Sequence, residues 1–555
     1  LGYLRSSPDF DIRDYKGTYY DANGIPTPNS HRAYRQHLGS SREFNPNTGV
    51  FTYDSPAYNS PLWTLNEQKN LNEVNRFIIA PEISYELNEN ITFIGRYSMD
   101  YYQDNRTNYW PSGSASDGTN GLYGEDRITE TTQNINFLTT GDYDLSDDLN
   151  LGFTLGTQFY QNKYKRLSGS ESNFTNPDEI FLNIGNATSE NSTPGDYEEM
   201  SRKSGAFALL NFNFRDEILA EFTARGEYVS SLPNAGMIFY PSGSLGWKFS
   251  KYFEDSDAIS FGKLRVSYGE VGIDPSVYST ETYLTTGGVF SSWGDGYEGQ
   301  LYGNPITRSA VRGNPDLKEE RIKELEYGFD TRFFNNRLSL SATYYDRTSE
   351  DVLLELPIAP TTGFESQLVN AAEISNKGIE VDLSGQIIQM KDFNWSMNIH
   401  YTSNKNIVEN MAGSAYSLLN GFTGTSSGVA EGQPFAILRG TKYAKKADGS
   451  YDLDSNGFPK AATENDFLGD PNPDWRGSLG TSITFKNFTL TAQLETSQGN
   501  DVWNGTKGVL YFFGIHPDTA TESVASKDLK NASGTSINKG ATFRGYEYDF
   551  GGGPV

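Results

Sequence analysis

The stretch Ile79-Ala80-Pro81-Glu82-Ile83-Ser84-Tyr85-Glu86-Leu87-Asn88-Glu89-Asn90-Ile91-Thr92-Phe93-Ile94-Gly95-Arg96-Tyr97-Ser98-Met99-Asp100-Tyr101 has a period of two. Ile79, Ile83, Tyr85 and Leu87 alternate with Ala80, Glu82, Ser84 and Glu86. After a polar turn at Asn88-Glu89-Asn90, Ile91, Phe93, Tyr97, Met99 and Tyr101 share one face, and Thr92, Arg96, Ser98 and Asp100 take the other. Successive strand residues point to opposite faces, so this reads as a hairpin with one apolar and one charged face.

The unit recurs along the chain. Phe137, Tyr143 and Leu145 lead into the turn Ser146-Asp147-Asp148, and Leu149, Leu151, Phe153, Leu155 and Phe159 lead out. Ala206, Ala208, Leu210, Phe212 and Phe214 precede Arg215-Asp216-Glu217, and Ile218, Ala220, Phe222, Ala224 and Tyr228 follow. Further pairs join 325–333 to 338–344, 379–383 to 393–401, and 479–485 to 488–494. Roughly fifteen strands result, many of about 10–14 residues, longer than is usual in soluble proteins. Short turns at 88–90, 146–148, 215–217, 335–336 and 486–487 alternate with long polar segments at 104–127, 161–202, 272–320, 402–433 and 497–555. That asymmetry is expected of an all-β, transmembrane antiparallel barrel in an outer membrane. A soluble propeller or stack of sandwiches would have shorter strands and no such alternation.

Composition agrees. The 555 residues carry 45 Lys plus Arg against 71 Asp plus Glu, a net charge of −26 that argues against nucleic-acid binding. With no Cys, disulfides, thiolate metal sites and thiol catalysis are excluded, and the four His (His31, His37, His400, His516) are scattered. Aromatics reach 14% although hydrophobic residues total only 36%, a balance that suits a lipid-facing and a water-facing side on every strand. No run approaches the roughly 18 apolar residues of a spanning helix. The chain opens Leu1-Gly2-Tyr3-Leu4 with neither Met nor a signal-peptide pattern, so a processed chain or a piece of a longer one is expected.

Several segments, in order, resemble the SusC/RagA family of TonB-linked outer-membrane transporters. They are Tyr240-Pro241-Ser242-Gly243-Ser244-Leu245-Gly246-Trp247, Leu264-Arg265-Val266-Ser267-Tyr268-Gly269-Glu270-Val271-Gly272, and Asn314-Pro315-Asp316-Leu317-Lys318-Glu319-Glu320. Glu326-Tyr327-Gly328-Phe329-Asp330, Asn336-Arg337-Leu338, Asn370 with Ile374-Ser375-Asn376-Lys377-Gly378-Ile379-Glu380, and Leu468-Gly469-Asp470-Pro471-Asn472-Pro473-Asp474 continue the series. The resemblance implies import of a large nutrient, an oligosaccharide or oligopeptide. It also implies a plug, drive from an inner-membrane TonB complex, a SusD-like surface lipoprotein over the long loops, and outer-membrane lipid around the wall. On it, residues 1–555 are the central part of a barrel of about 22 strands, with N-terminal extension, plug and closing strands outside the chain. A non-transporting subunit of an outer-membrane insertion or secretion assembly is the alternative, since fold does not settle function.

No catalytic constellation is expected. Gly424-Thr425-Ser426-Ser427-Gly428 matches a nucleophile elbow only literally, and Gly294-Asp295-Gly296-Tyr297-Glu298-Gly299 a dinucleotide fingerprint only literally; neither opens a helix. Asp452, Asp454 and Asn456 imitate the start of a calcium loop, but Thr463 stands where its bidentate Glu belongs, so a polar turn is favoured over a Ca²⁺ site at 452–466. Glu82, Glu86, Asp100, Glu221, Glu227, Glu324, Glu326, Asp330, Glu380 and Asp382 should face the lumen, balanced by Arg96, Arg225 and Arg332. The aromatics Trp63, Tyr109, Trp110, Tyr123, Trp293, Tyr297 and Tyr302, read as lying in loops, are candidates to stack on a substrate or contact a partner. Trp247, Trp395 and Tyr401 are expected in the interfacial girdle.

Overall fold

In a computed structural model, the described residues are 68–112, 120–176, 185–188, 191–253, 258–286, 289–291, 294–297, 306–422, 425–454, 459–512, 523–530 and 536–543, with the backbone of four short strands before residue 54. Among them no helix is long and apolar enough to cross a membrane. The molecule is built on one 16-stranded sheet.

Its wall comprises β1 (Lys69–Ile79), β2 (Glu82–Asn88), β3 (Ile91–Ser112), β4 (Asn120–Ser146), β5 (Leu149–Ser172), β6 (Ser192–Phe214), β7 (Ile218–Val229) and β8 (Ile238–Trp247). It continues through β9 (Ile259–Ile273), β10 (Glu320–Phe333), β11 (Leu338–Pro357), β12 (Ser366–Gln389), β13 (Phe393–Asn410), β14 (Trp475–Phe485) and β15 (Phe488–Gln498). Consecutive strands pair antiparallel from β3 to β15. β1 and β2 lie end to end along β3, on Met99–Tyr109 and Ile91–Arg96 respectively. The break falls at Ala80-Pro81, where proline has no N–H for a ladder. Both edges of this path, β1 with β2 and β15, are unpaired among the described residues.

The expected turns all join strands. At 215–217 the chain reverses with Arg215 and Asp216 at positive φ, and at 334–336 Phe334, Asn335 and Asn336 do the same, Asn being tolerant of that region. Arg215 pairs with Asp148 of the neighbouring turn at 2.8 Å, while the Tyr252 hydroxyl (2.6 Å) and the Trp247 indole N–H (3.3 Å) donate to Glu217. The short-turn end is therefore cross-linked, and by the barrel rule it is the periplasmic end.

At the opposite end, 104–112, 120–127, 161–172 and 192–202, expected as loop, are strand. β3 to β6 run for 22, 27, 24 and 23 residues, so their ladders extend far beyond a bilayer. Hydropathy does not reveal this: where water bathes both faces, both carry polar side chains, and only ladder hydrogen bonds hold the strand. The segment 402–433 is likewise largely structured. Ser417–Phe422, Thr425–Val429, Ile437–Gly440 and Asp466–Gly469 form a four-stranded sheet beyond the rim. Met411, Val408 and Val429, fully buried, join Val352, Leu354 and Ile374 in a core that fastens this sheet to the wall. The strand Thr425–Val429 ends at an irregular segment rather than a helix, and Gly294–Tyr297 pairs as a strand with Val289–Ser291, so neither literal motif has its required setting.

Candidate functional site

The register sets which side chains share a face. One row reads Gly141, Phe153, Leu210, Phe222, Gly243 and Tyr268 across six strands. Two residues nearer the turns, Tyr143, Leu151, Phe212, Ala220, Leu245, Val266 and Tyr327 form the next. These residues cover an outward belt; Phe222 is 54% exposed and Ile83 77% although both are fully apolar. Such a surface needs lipid or protein, not water, against it. Glycines accommodate the rings: an added Cβ at Gly141 would lie 2.2 Å from Phe153. Trp247 packs on Phe249 and Tyr252 at the periplasmic end, and the Trp395 indole N–H donates to Thr481 at 2.9 Å. Both sit where girdle aromatics belong.

The intervening residues make the other face, which is mostly polar, with an apolar patch at Ile94, Leu138 and Phe207. Asp142, Gly152, Asn211, Glu221, Ser244, Ser267 and Glu326 form one row. Asp330, Ser341, Asp382, His400, Ser478 and Glu495 form another. A groove of about 520 Å³ opens along the first row, lined by Asn211, Glu221, Ser244, Lys263 and Arg265.

The carboxylates are largely matched. Arg96 pairs with Glu82, Arg225 with Glu227 at 2.7 Å, Arg76 Nε with Asp100 at 2.9 Å, and Arg347 with Glu324. Arg225 also donates to Gln158 at 2.8 Å. Arg332, expected as a lumen counter-charge, instead lies over the Phe261 ring at 5.3 Å. Its place is taken by Arg265, which reaches Asp330 at 3.3 Å and Glu326 at 3.5 Å. Gly328, opposite Arg265, makes this possible: a Cβ there would lie 2.2 Å from the guanidinium Nε. Arg265 stands inside the quoted SYG segment, so alternation from Tyr268 would have placed it inward. These groups form a hydrated, hydrogen-bonding wall.

At the outer end the candidate aromatics take different places. Tyr109 and Tyr123 are 5% and 2% exposed and pack with Phe174, the Tyr109 and Phe174 rings stacked at 6.4 Å. Tyr109 of β3 and Tyr123 of β4 thus form a small buried cluster closed by Phe174. The Tyr123 hydroxyl donates to Glu125 at 2.5 Å, and burial, reinforced by that carboxylate, pushes its pKa up to about 12. Trp110, beside them, is half-buried. Trp63, Trp293 and Tyr302 lie outside the described residues, and of Tyr297 the backbone alone is described. Nothing in the sequence pattern flagged Asp104. It is wholly buried nearby and accepts from the Tyr102 hydroxyl at 3.1 Å and Arg106 Nε at 2.9 Å. Asp452 pairs with Lys460 at 3.1 Å across a small hairpin, so a cation there would have to displace an ammonium; Asn456 lies outside the described residues.

An antiparallel wall with an apolar outer belt, aromatic girdle and polar lumen defines an outer-membrane β-barrel. The TonB dependent receptor-like β-barrel family model matches residues 4–552, and the chain belongs to that family. It is similar to TonB-dependent receptor P39 of Formosa agariphila, at 26% identity over 87% of this chain and 45% of that protein. It is also similar to TonB-dependent receptor SusC of Bacteroides thetaiotaomicron, at 26% identity over 58% of this chain and 34% of that one. The fold resembles the RagAB peptide importer in its closed-closed state, with a TM-score of 0.67 and 18% identity, covering 80% of this chain and 49% of that one. The chain thus spans between a third and a half of the relatives it matches. It is an outer-membrane β-barrel of the TonB-dependent receptor family, similar to SusC.

Proposed function

We propose that this chain forms the wall of an importer for a nutrient too large for passive pores, an oligosaccharide or oligopeptide. In this reading the importer is driven by a TonB complex and capped by a SusD-like lipoprotein. The observation that carries the reading is the predominantly polar lumen face, with its groove at Asn211, Glu221 and Ser244 and the Arg265 cluster beside it. Closely spaced amides, hydroxyls and paired charges offer exchangeable hydrogen bonds to a polar solute, whereas a scaffold needs only a filled core. The tall outer strands and the four-stranded sheet beyond the rim supply the platform on which a lid would sit. The RagAB neighbour, described as a peptide importer, favours the peptide option.

The test is purification of the full-length protein from native membranes in mild detergent, paired with uptake of labelled oligopeptides and oligosaccharides by cells with and without TonB. A co-purifying SusD-like lipoprotein and TonB-dependent uptake are expected. A larger insertion or secretion assembly with no uptake of either solute would replace the importer by the scaffold.

A further inference from the structure

The outer face changes character sharply at one level. From the periplasmic turn upward, β6 points Phe214, Phe212, Leu210, Ala208, Ala206 and Ser204 outward, and then Arg202. Ten residue steps separate Ser204 from Phe214. At about 3.4 Å per residue and a tilt of about 40° they climb about 26 Å, matching the roughly 25 Å apolar band of an outer-membrane barrel. Arg202 therefore stands just above the hydrocarbon, at the headgroups of the outer leaflet.

The rows on either side of this boundary are in register. Below it run Tyr97, Ile135, Phe159, Ser204 and Tyr228; above it run Met99, Gln133, Gln161 and Arg202. Arg202 Nε donates to Gln161 Oε1 at 2.8 Å, and the Gln133 amide donates to the Tyr97 hydroxyl at 3.2 Å. The side chain is thus oriented by its neighbour, while its two terminal nitrogens have no partner among the described residues. In contrast Lys323 and Lys377, on the outer face of β10 and β12, meet Glu350 at 2.7 Å and Asp346 at 2.9 Å. In the next row up Lys163 is held by Glu198 at 2.8 Å. A groove of about 500 Å³ runs beneath Arg202, floored by Ile135, Phe159 and Tyr228, which are 38%, 49% and 57% exposed.

We propose that this groove binds a phosphorylated lipid of the outer leaflet, with its phosphate on the Arg202 guanidinium and an acyl chain along Phe159 and Tyr228. An oriented, unpaired guanidinium matches a phosphate with two parallel N–H···O bonds. An apolar floor directly below it matches a chain, and the groove faces away from the lumen, where lipid is the ligand at hand. The overall charge of −26 makes an unmatched cation at this height specific to the place rather than a consequence of composition.

The experiment is native mass spectrometry of the full-length protein released from nanodiscs doped with lipid A or with the same lipid stripped of its phosphates. The wild type should retain the phosphorylated lipid about tenfold more than the stripped one. Arg202→Gln should lose most of that preference, Arg202→Lys part of it, and Lys377→Gln, which removes an already matched charge from the same face, none. Equal retention of the two lipids by the wild type overturns the proposal, and this arm holds even if Arg202→Gln folds poorly. Equal losses in Arg202→Gln and Lys377→Gln overturn it too, by showing only a diffuse charge effect.

Discussion

Replacing Phe222 by Arg should cost about 2–4 kcal/mol of barrel stability, because the side chain meets hydrocarbon near the middle of the belt. Phe222 lies four residues above Ile218, the periplasmic end of β7. At about 2.6 Å of height per tilted residue that is about 10 Å into a band of about 25 Å, close to the midplane. The ring is 54% exposed, sits edge-on to Phe212 at 6.3 Å, and lies in a row with Leu210 and Tyr268. Its sequence neighbour Glu221 points to the opposite face and lines the lumen groove. Glu221→Gln should therefore stay within about 0.5 kcal/mol. The assay is urea unfolding of the full-length protein in lipid vesicles, followed by heat-modifiable gel mobility. A loss for Glu221→Gln equal to that for Phe222→Arg would refute the assignment of the two faces.

Other outcomes follow from the same geometry. Phe174→Ala should remove the ring that covers Tyr109 and Tyr123, costing about 3–5 kcal/mol locally, and hydrogen exchange should rise at 107–125 while the belt strands stay protected. Gly328→Val should drive a branched side chain into Arg265 and cost about 1–3 kcal/mol, against little for Gly95→Ala, whose added methyl meets nothing within 4 Å; thermal unfolding compares the two. Protease added to intact cells should spare Asn88–Asn90, Ser146–Asp148 and Arg215–Glu217 and cleave only at the far end; a cut at any of these turns would invert the topology.

The membrane-embedded half of the fold was legible because lipid enforces alternation. Phe93, Phe153 and Phe222 could be placed outward from spacing alone, and the register places them so. The upper half was not. Stretches such as Thr129-Glu130-Thr131-Thr132 have polar side chains on both faces, so nothing in the hydropathy separates a water-bathed strand from a loop. The lumen charges were legible as a set, but their partners were not. Arg96 and Arg225 pair as expected, whereas Arg332 turns to Phe261 and Arg265 takes its carboxylates, because cross-strand register and the space above Gly328 decide reach. Tyr109 and Tyr123 looked like exposed loop aromatics because their cover, Phe174, is far away in sequence and arrives through strand pairing.

The central claim, a wall whose alternate residues face lipid and lumen, is most directly tested by single-cysteine spin labelling, for which a chain without Cys is well suited. Labels at Leu210, Asn211, Phe212 and Asn213 on β6, and at Glu221 and Phe222 on β7, should be read in bilayers against oxygen and a water-soluble nickel chelate. Leu210, Phe212 and Phe222 should be oxygen-accessible, and Asn211, Asn213 and Glu221 should be shielded from lipid-dissolved oxygen. Equal accessibility at adjacent positions, or alternation of the opposite phase, would contradict the account.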